Sequence, residues 1–221
     1  MNLNKLFTLQ DKLDDHIKKE KGLEGQDLLD KKILALQVEL GELANEWRGF
    51  KFWKVNPRPR TEDWIECSVC NGTGDLNYER VQEEAEGSGG HEYIDCEECD
   101  SSGTSHMINP LLEEYVDCLH FILSIGLELG AEKKFADEVN FNIGTRTITR
   151  DTLDIFQQMF NQVNLLSQHT KVKSFFECDV YNDLFSIFST LGDSLGFTEE
   201  QIEQAYISKN EVNHERQENG Y

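Results

Sequence analysis

Apolar positions follow a helical rhythm towards both ends of the chain and lose it in the middle. Leu3, Leu6, Phe7, Leu13 and Ile17 recur at three- and four-residue spacing, which predicts an amphipathic helix over 3–20. Leu29, Ile33, Leu36, Leu40, Leu43 and Trp47 predict a second over 27–47. The run from Leu111 to Leu129 is apolar on more than one face, as expected of a central buried helix. Asn109 offers an N-cap, Pro110 suits the first helical position, and Gly130 suits the C-terminal cap. Helical patterns return over 151–169 and 179–195; Gly196 then closes a helix, and Thr198 with Gln201 forms a capping box for the last one. Strand-like alternation is missing from these stretches. The expected fold class is all-α, a helical bundle.

Between Pro57 and His106 the periodicity disappears, and four of the six cysteines fall here. The segment holds three basic residues against thirteen acidic ones, and its Gly-rich stretch Glu79–Gly90 is expected to be a mobile loop. The chain therefore divides into a helical domain of residues 1–56 and 108–221 and a small zinc-ribbon-like insertion of residues 57–107. Within the insertion, Cys67, Cys70, Cys96 and Cys99 form two C-x-x-C turns. Each turn points two thiolates at one ion, and two turns complete a closed tetrahedral site of the kind that holds structural Zn²⁺. Two disulfides are the alternative. His91 and His106 are not needed as ligands, and Cys118 and Cys178 lie in apolar helical surroundings where cysteine acts as a small hydrophobe. The first knuckle, with its C-x-x-C-x-G-x-G form, resembles the zinc region of DnaJ-type chaperones; the second diverges from it.

Charge narrows the possible functions. With 42 acidic and 21 basic side chains the formal net charge is −21, which disfavours a protein that tracks nucleic-acid phosphates. No apolar run reaches the roughly 18 residues of a membrane helix. The N-terminus has no export-signal pattern, so a cytoplasmic location with reduced thiols is expected. An acidic protein can still take a polyanion if its carboxylates are spent on divalent cations. Glu39, Glu42 and Glu46 fall on one helical stripe, and Glu114 and Asp117 share a face of the central helix. Carboxylates from two neighbouring helices would suit Mg²⁺; ordinary solvated acids are the alternative on spacing alone. Asp117 argues for the former, because it sits among Val116, Cys118, Leu119 and Phe121, where a carboxylate needs a counter-charge or a metal.

The segments ELGELANEWRGFKFWK (39–54), EEYVDCLHFILSIG (113–126) and AYISKNEVNHERQENGY (205–221), with LFTLQDKLDDHI (6–17), together resemble the all-α dimeric dUTPases, a branch of the MazG-like pyrophosphatases. That resemblance implies hydrolysis of dUTP to dUMP and pyrophosphate, with Glu39, Glu42, Glu114 and Asp117 as Mg²⁺ ligands. Glu42 or Glu39 would orient or deprotonate the attacking water, and Glu46 would be a further ligand or an outer group. Lys54, Lys209, Asn213 and Arg216 are the candidates for the phosphates, with Tyr221 closing the last motif. For the base, Trp53 and Phe121 offer aromatic faces and Gln10 a hydrogen-bonding edge, with Asn140 and Asn142 as possible contributors. Asp14 stands where the family tends to carry Asn, which bears on base preference. A homodimer with sites near its interface is implied. Two other readings stay open: a pyrophosphatase for another pyrimidine triphosphate, and a protein-binding module acting through the insertion.

Overall fold

The computed structural model describes residues 1–78, 93–131 and 151–220. Its helices are α1 (Leu3–Glu20), α2 (Leu29–Trp47), α3 (Pro110–Glu128), α4 (Thr152–Lys171), α5 (Glu177–Leu195) and α6 (Glu199–Glu218). Two short strands, β1 (Asp63–Glu66) and β2 (Thr104–Ile108), make up the only sheet among the described residues. The fold is all-α, as the periodicity predicts. The expected loop at Glu79–Gly90 lies outside the described residues, as do His91, Asn140, Asn142 and Tyr221.

The helix ends follow from local chemistry. The side chain of Asn2 accepts a hydrogen bond from the Lys5 N–H and starts α1. Beyond α3, Gly130 takes φ +67°, and the Ala131 N–H reaches back to the Gly126 carbonyl at 2.9 Å. Gly196 ends α5 at φ +86°, and the Thr198–Gln201 capping box starts α6. The end of α2 falls at Trp47, the last apolar position of its stripe, with no side-chain cap of this kind. There Arg48 itself adopts the left-handed conformation, φ 64°.

The chain forms two compact units, Met1–Pro59 with Leu111–Tyr221, and Arg60–Pro110. In the first, α4 packs along α5, α1 along α6, and α2 against α4. Their apolar stripes meet in one core that includes Leu36, Leu40, Leu43, Ile122, Leu123, Met159, Leu184 and Phe188. Tyr115 stacks on Phe188 with ring centres 4.2 Å apart and donates to the Phe188 carbonyl at 3.1 Å, so its hydroxyl is buried with a partner. Tyr181 similarly donates to the Ile122 carbonyl at 3.0 Å. That seat exists because residue 126 is glycine: a Cβ there would lie 2.3 Å from the Tyr181 hydroxyl.

The second unit is built differently. Its strands pair antiparallel, with Asp63 opposite Ile108, Trp64 opposite Met107 and Ile65 opposite His106. Among the described residues its one buried cluster is Cys67, Cys70, Cys96 and Cys99, while Trp64, Val69, Ile94 and Met107 are exposed. With no apolar core among its described residues, such a unit needs another source of folding free energy, and a bound metal is the usual one.

Candidate active site

Acids from two helices converge. Glu39 and Glu42 from α2 and Glu114 from α3 each place a carboxylate oxygen within 4.8 Å of the others. Burial, then the neighbouring charges of Asp117 and Glu42, push the Glu39 carboxyl up to about 7. The same causes, with Glu39 added, raise Glu114 to about 7. One Glu114 oxygen, Oε2, is buried with no hydrogen-bond partner. Carboxylates this close cannot all be charged without a cation between them, so the donor set fits a hard divalent ion. Asp117, the fourth expected ligand, is close enough to raise both glutamates, and it has a counter-charge in this structure: the Lys209 ammonium of α6 at 2.7 Å. Glu46 is not part of the cluster.

These acids line one part of a cavity of about 670 Å³. Gln10 and Asp14 of α1, Phe121 of α3, and Asn213 and Arg216 of α6 line it as well. Because α6 continues to Glu218, Asn213 and Arg216 stay on one helical face, and Arg216 donates to Asn213 at 3.4 Å. Trp53 and Lys54 are exposed and are not among the lining residues; they follow the turn that Arg48 makes after α2.

One lining residue escapes the sequence reading. His120 is buried at 6% exposure and stacks on Tyr206 with ring centres 4.1 Å apart. Its Nδ1 lies 2.8 Å from Gln10 Oε1, which also accepts from the Tyr206 hydroxyl at 2.7 Å. An amide oxygen only accepts, so Nδ1 carries the proton and Nε2 is a bare acceptor, buried and without a partner. Burial, reinforced by the charge of Lys209, pushes the imidazole down to about 3, so it is neutral at physiological pH. Nothing in the sequence near His120 marks it. Its role is visible only through Gln10 on α1 and Tyr206 on α6.

Asp14 does not turn free oxygens to the cavity. Oδ1 accepts from Gln10 Nε2 at 2.7 Å, while Oδ2 accepts from the Ser124 hydroxyl at 2.5 Å and the Lys32 ammonium at 2.8 Å. Lys32 is shared with Glu128 at 2.6 Å.

The cysteines form a second candidate centre. All four are free thiols with sulfurs mutually within 4.8 Å; Cys67 and Cys96 are 3.9 Å apart, and Cys70 and Cys99 are 3.7 Å apart. Those separations are near the edge of about 3.8 Å expected of a tetrahedron with metal–sulfur bonds of about 2.3 Å. The backbone repeats itself across the pair. The Cys67 N–H donates to the Gly103 carbonyl at 2.9 Å and the Cys96 N–H to the Gly74 carbonyl at 3.0 Å. Asp100 and Ser101, at φ 48° and 57°, take the left-handed places that Asn71 and Gly72 hold in the first knuckle. The second knuckle, divergent in sequence, thus keeps the geometry. Burial would raise the Cys70 thiol, but the Gly74 N–H, 3.2 Å from its sulfur, and the neighbouring thiols bring it down to about 7. Four cysteines so placed can hold a metal ion.

A family model described as dUTPase matches residues 2–69 and 101–221, which include every helix of the bundle. The stretch it passes over holds Cys70, Cys96 and Cys99. Neither a curated protein nor a solved structure matches the chain. The family match covers both faces of the carboxylate cluster and all the residues named around the cavity, and the chain belongs to the all-α dimeric dUTPase family.

Proposed function

We propose that this protein is a dUTP diphosphatase, hydrolysing dUTP to dUMP and pyrophosphate with Mg²⁺. The observation that carries the reading is the cavity itself. Converging carboxylates, the Phe121 ring and the α6 residues Asn213 and Arg216 line one space, and family membership supports dUTP hydrolysis in general.

Mg²⁺ held by Glu39, Glu42, Glu114 and Asp117 would offset the triphosphate charge and make a water more acidic. Glu42, the exposed member of the cluster, takes the proton of the attacking water, with Glu39 as the other candidate. Attack of the water breaks the α–β anhydride bond and yields dUMP and pyrophosphate with no covalent enzyme intermediate. Lys209, Asn213 and Arg216 meet phosphate oxygens from α6; Lys54 and Tyr221 complete that set by family resemblance. Phe121 offers its ring to the base, and Gln10, which lines the same cavity, is the candidate for its hydrogen-bonding edge. Trp53 enters through the family resemblance alone. Another pyrimidine triphosphate is the second reading, because Asp14, an acceptor-only carboxylate, lines the cavity where the family tends to carry Asn.

The four cysteines hold Zn²⁺ as a structural ion, and the exposed Trp64–Met107 pair gives the insertion a surface for a protein partner. The protein is a cytoplasmic homodimer, as its family implies. The deciding experiment is pyrophosphate release from a panel of nucleoside triphosphates, with Mg²⁺ and with chelator, for wild type and Asp117→Ala. Mg²⁺-dependent hydrolysis confined to dUTP and lost in the variant is expected. No hydrolysis of any nucleotide by folded, zinc-loaded protein would overturn the reading.

A further inference from the structure

Glu128 is the last residue of α3, where the helix dipole disfavours a carboxylate. Two lysines hold it there. Its Oε1 accepts from the Lys32 ammonium at 2.6 Å and from the Lys18 ammonium at 3.1 Å, and Lys32 also donates to Asp14 Oδ2 at 2.8 Å. Burial would raise the Glu128 carboxyl, but Lys32 and Lys18 hold it below its usual value. Lys18, Lys32 and Asp14 line the cavity, whereas Glu128 stands behind them and is not among its lining residues. Lys31 lines the cavity as well, but it is exposed, where water and salt screen its charge.

Lys32 and Glu39 lie seven residues apart on α2 and line the same cavity, which sets them about 10 Å apart along the helix axis. The cavity therefore has an acid end at Glu39 and Glu114 and a lysine end at Lys18 and Lys32. A triphosphate without metal is repelled at the first, and unpaired lysines would attract it to the second. A nucleotide captured that way would hold its phosphates away from the carboxylates that suit Mg²⁺. The two acids, Asp14 and Glu128, match the two lysines and remove that attraction. We propose that Glu128 is a positioning residue that fixes the orientation of the nucleotide, holding Lys18 and Lys32 paired so that the triphosphate settles at the acid end. The inference rests on the cavity being a nucleoside triphosphate site, but the charge balance can be tested without nucleotide.

The test is calorimetric titration of the zinc-loaded protein with inorganic tripolyphosphate in Mg²⁺-free buffer, alongside steady-state kinetics on dUTP with Mg²⁺. Glu128→Gln leaves one lysine unmatched and should bind tripolyphosphate about tenfold or more tightly than wild type. Adding Lys18→Gln restores the match and should return the affinity to the wild-type value. Unproductive capture withdraws enzyme without altering the productive complex, so in Glu128→Gln kcat and KM for dUTP should fall by a common factor, with kcat/KM unchanged. A merely structural role would lower kcat/KM instead. Unchanged tripolyphosphate affinity in Glu128→Gln, no return on adding Lys18→Gln, or a lowered kcat/KM would overturn the proposal. Should the variant fold poorly, wild type alone decides. Lysine acetylation mapped by mass spectrometry should proceed at Lys18 and Lys32 as fast with tripolyphosphate as without it, and protection there would overturn the proposal. If wild type hydrolyses no nucleotide, the proposed function fails, while the tripolyphosphate affinities still judge the charge balance.

Discussion

Lys209 and Asp117 lie 92 residues apart in the sequence and meet at 2.7 Å between α6 and α3. The ammonium balances one of the four acids and lowers the repulsion felt by Glu39 and Glu114. The same lysine is the candidate for a phosphate oxygen. On nucleotide binding its charge would be shared between the two, while divalent ions take over the carboxylates.

Lys209→Met should therefore raise KM for the triphosphate and lower kcat/KM by about 10–100-fold. Lys209→Arg should restore only part of this, because a planar guanidinium does not replace a compact ammonium. Steady-state kinetics on dUTP checks both.

The raised carboxyls make the metal-free protein sensitive to pH in a defined direction. Glu39 and Glu114 keep protons in the folded state up to about 7, whereas the unfolded chain has released them above an ordinary value of 4.5. The folded state thus binds more protons across that window, and its stability falls as pH rises through it. Melting temperature in chelator, measured from about pH 5 to about pH 8, should decline, and Mg²⁺ should raise it more at the alkaline end. A chelator profile that is flat or rising with pH would count against the carboxylate cluster.

The cysteine unit should bind about one zinc ion per chain, released by a thiol-blocking mercurial and read with a metal-sensitive dye. Cys99→Ser should weaken zinc binding by about a hundredfold or more. Because the cysteines are the unit's buried centre, amide exchange in Arg60–Pro110 should quicken on zinc removal while the buried helices keep their protection.

Two glycines within helices should respond oppositely to alanine. At Gly126 a Cβ would meet the Tyr181 hydroxyl at 2.3 Å, so Gly126→Ala should cost about 1–3 kcal/mol. Gly41 has nothing within 4 Å, so Gly41→Ala should add about 0.5–1 kcal/mol by helix propensity. Urea unfolding of the two variants gives the comparison.

The helices were legible because each carries an amphipathic or apolar period and most carry punctuation: Pro110, Gly130, Gly196 and Thr198 stand where ends are found. The end of α2 at Trp47 was legible as the last apolar position of its stripe, although Arg48, which follows, takes a left-handed conformation that its own residue type does not announce. The acids were legible from spacing, because i, i+3 pairs share a face in any helix, and Asp117 could be seen to need a counter-charge. Its partner could not be identified, because no local rule connects α3 to α6. His120 was hidden for the same reason: a lone histidine in an apolar run looks like core until the long-range partners Gln10 and Tyr206 are in place. The second knuckle shows the converse limit, with Ser101 occupying a backbone conformation that its sequence does not advertise.

In the β1–β2 ladder Asp63 stands directly opposite Ile108. The excursion between them therefore begins and ends at neighbouring points, and its closure entropy is met by its own paired strands and cysteine cluster. Such a segment can change in length inside its ladder without moving the points where the chain enters and leaves it, and the family pattern breaks off after residue 69 and resumes at 101, both between the paired strands.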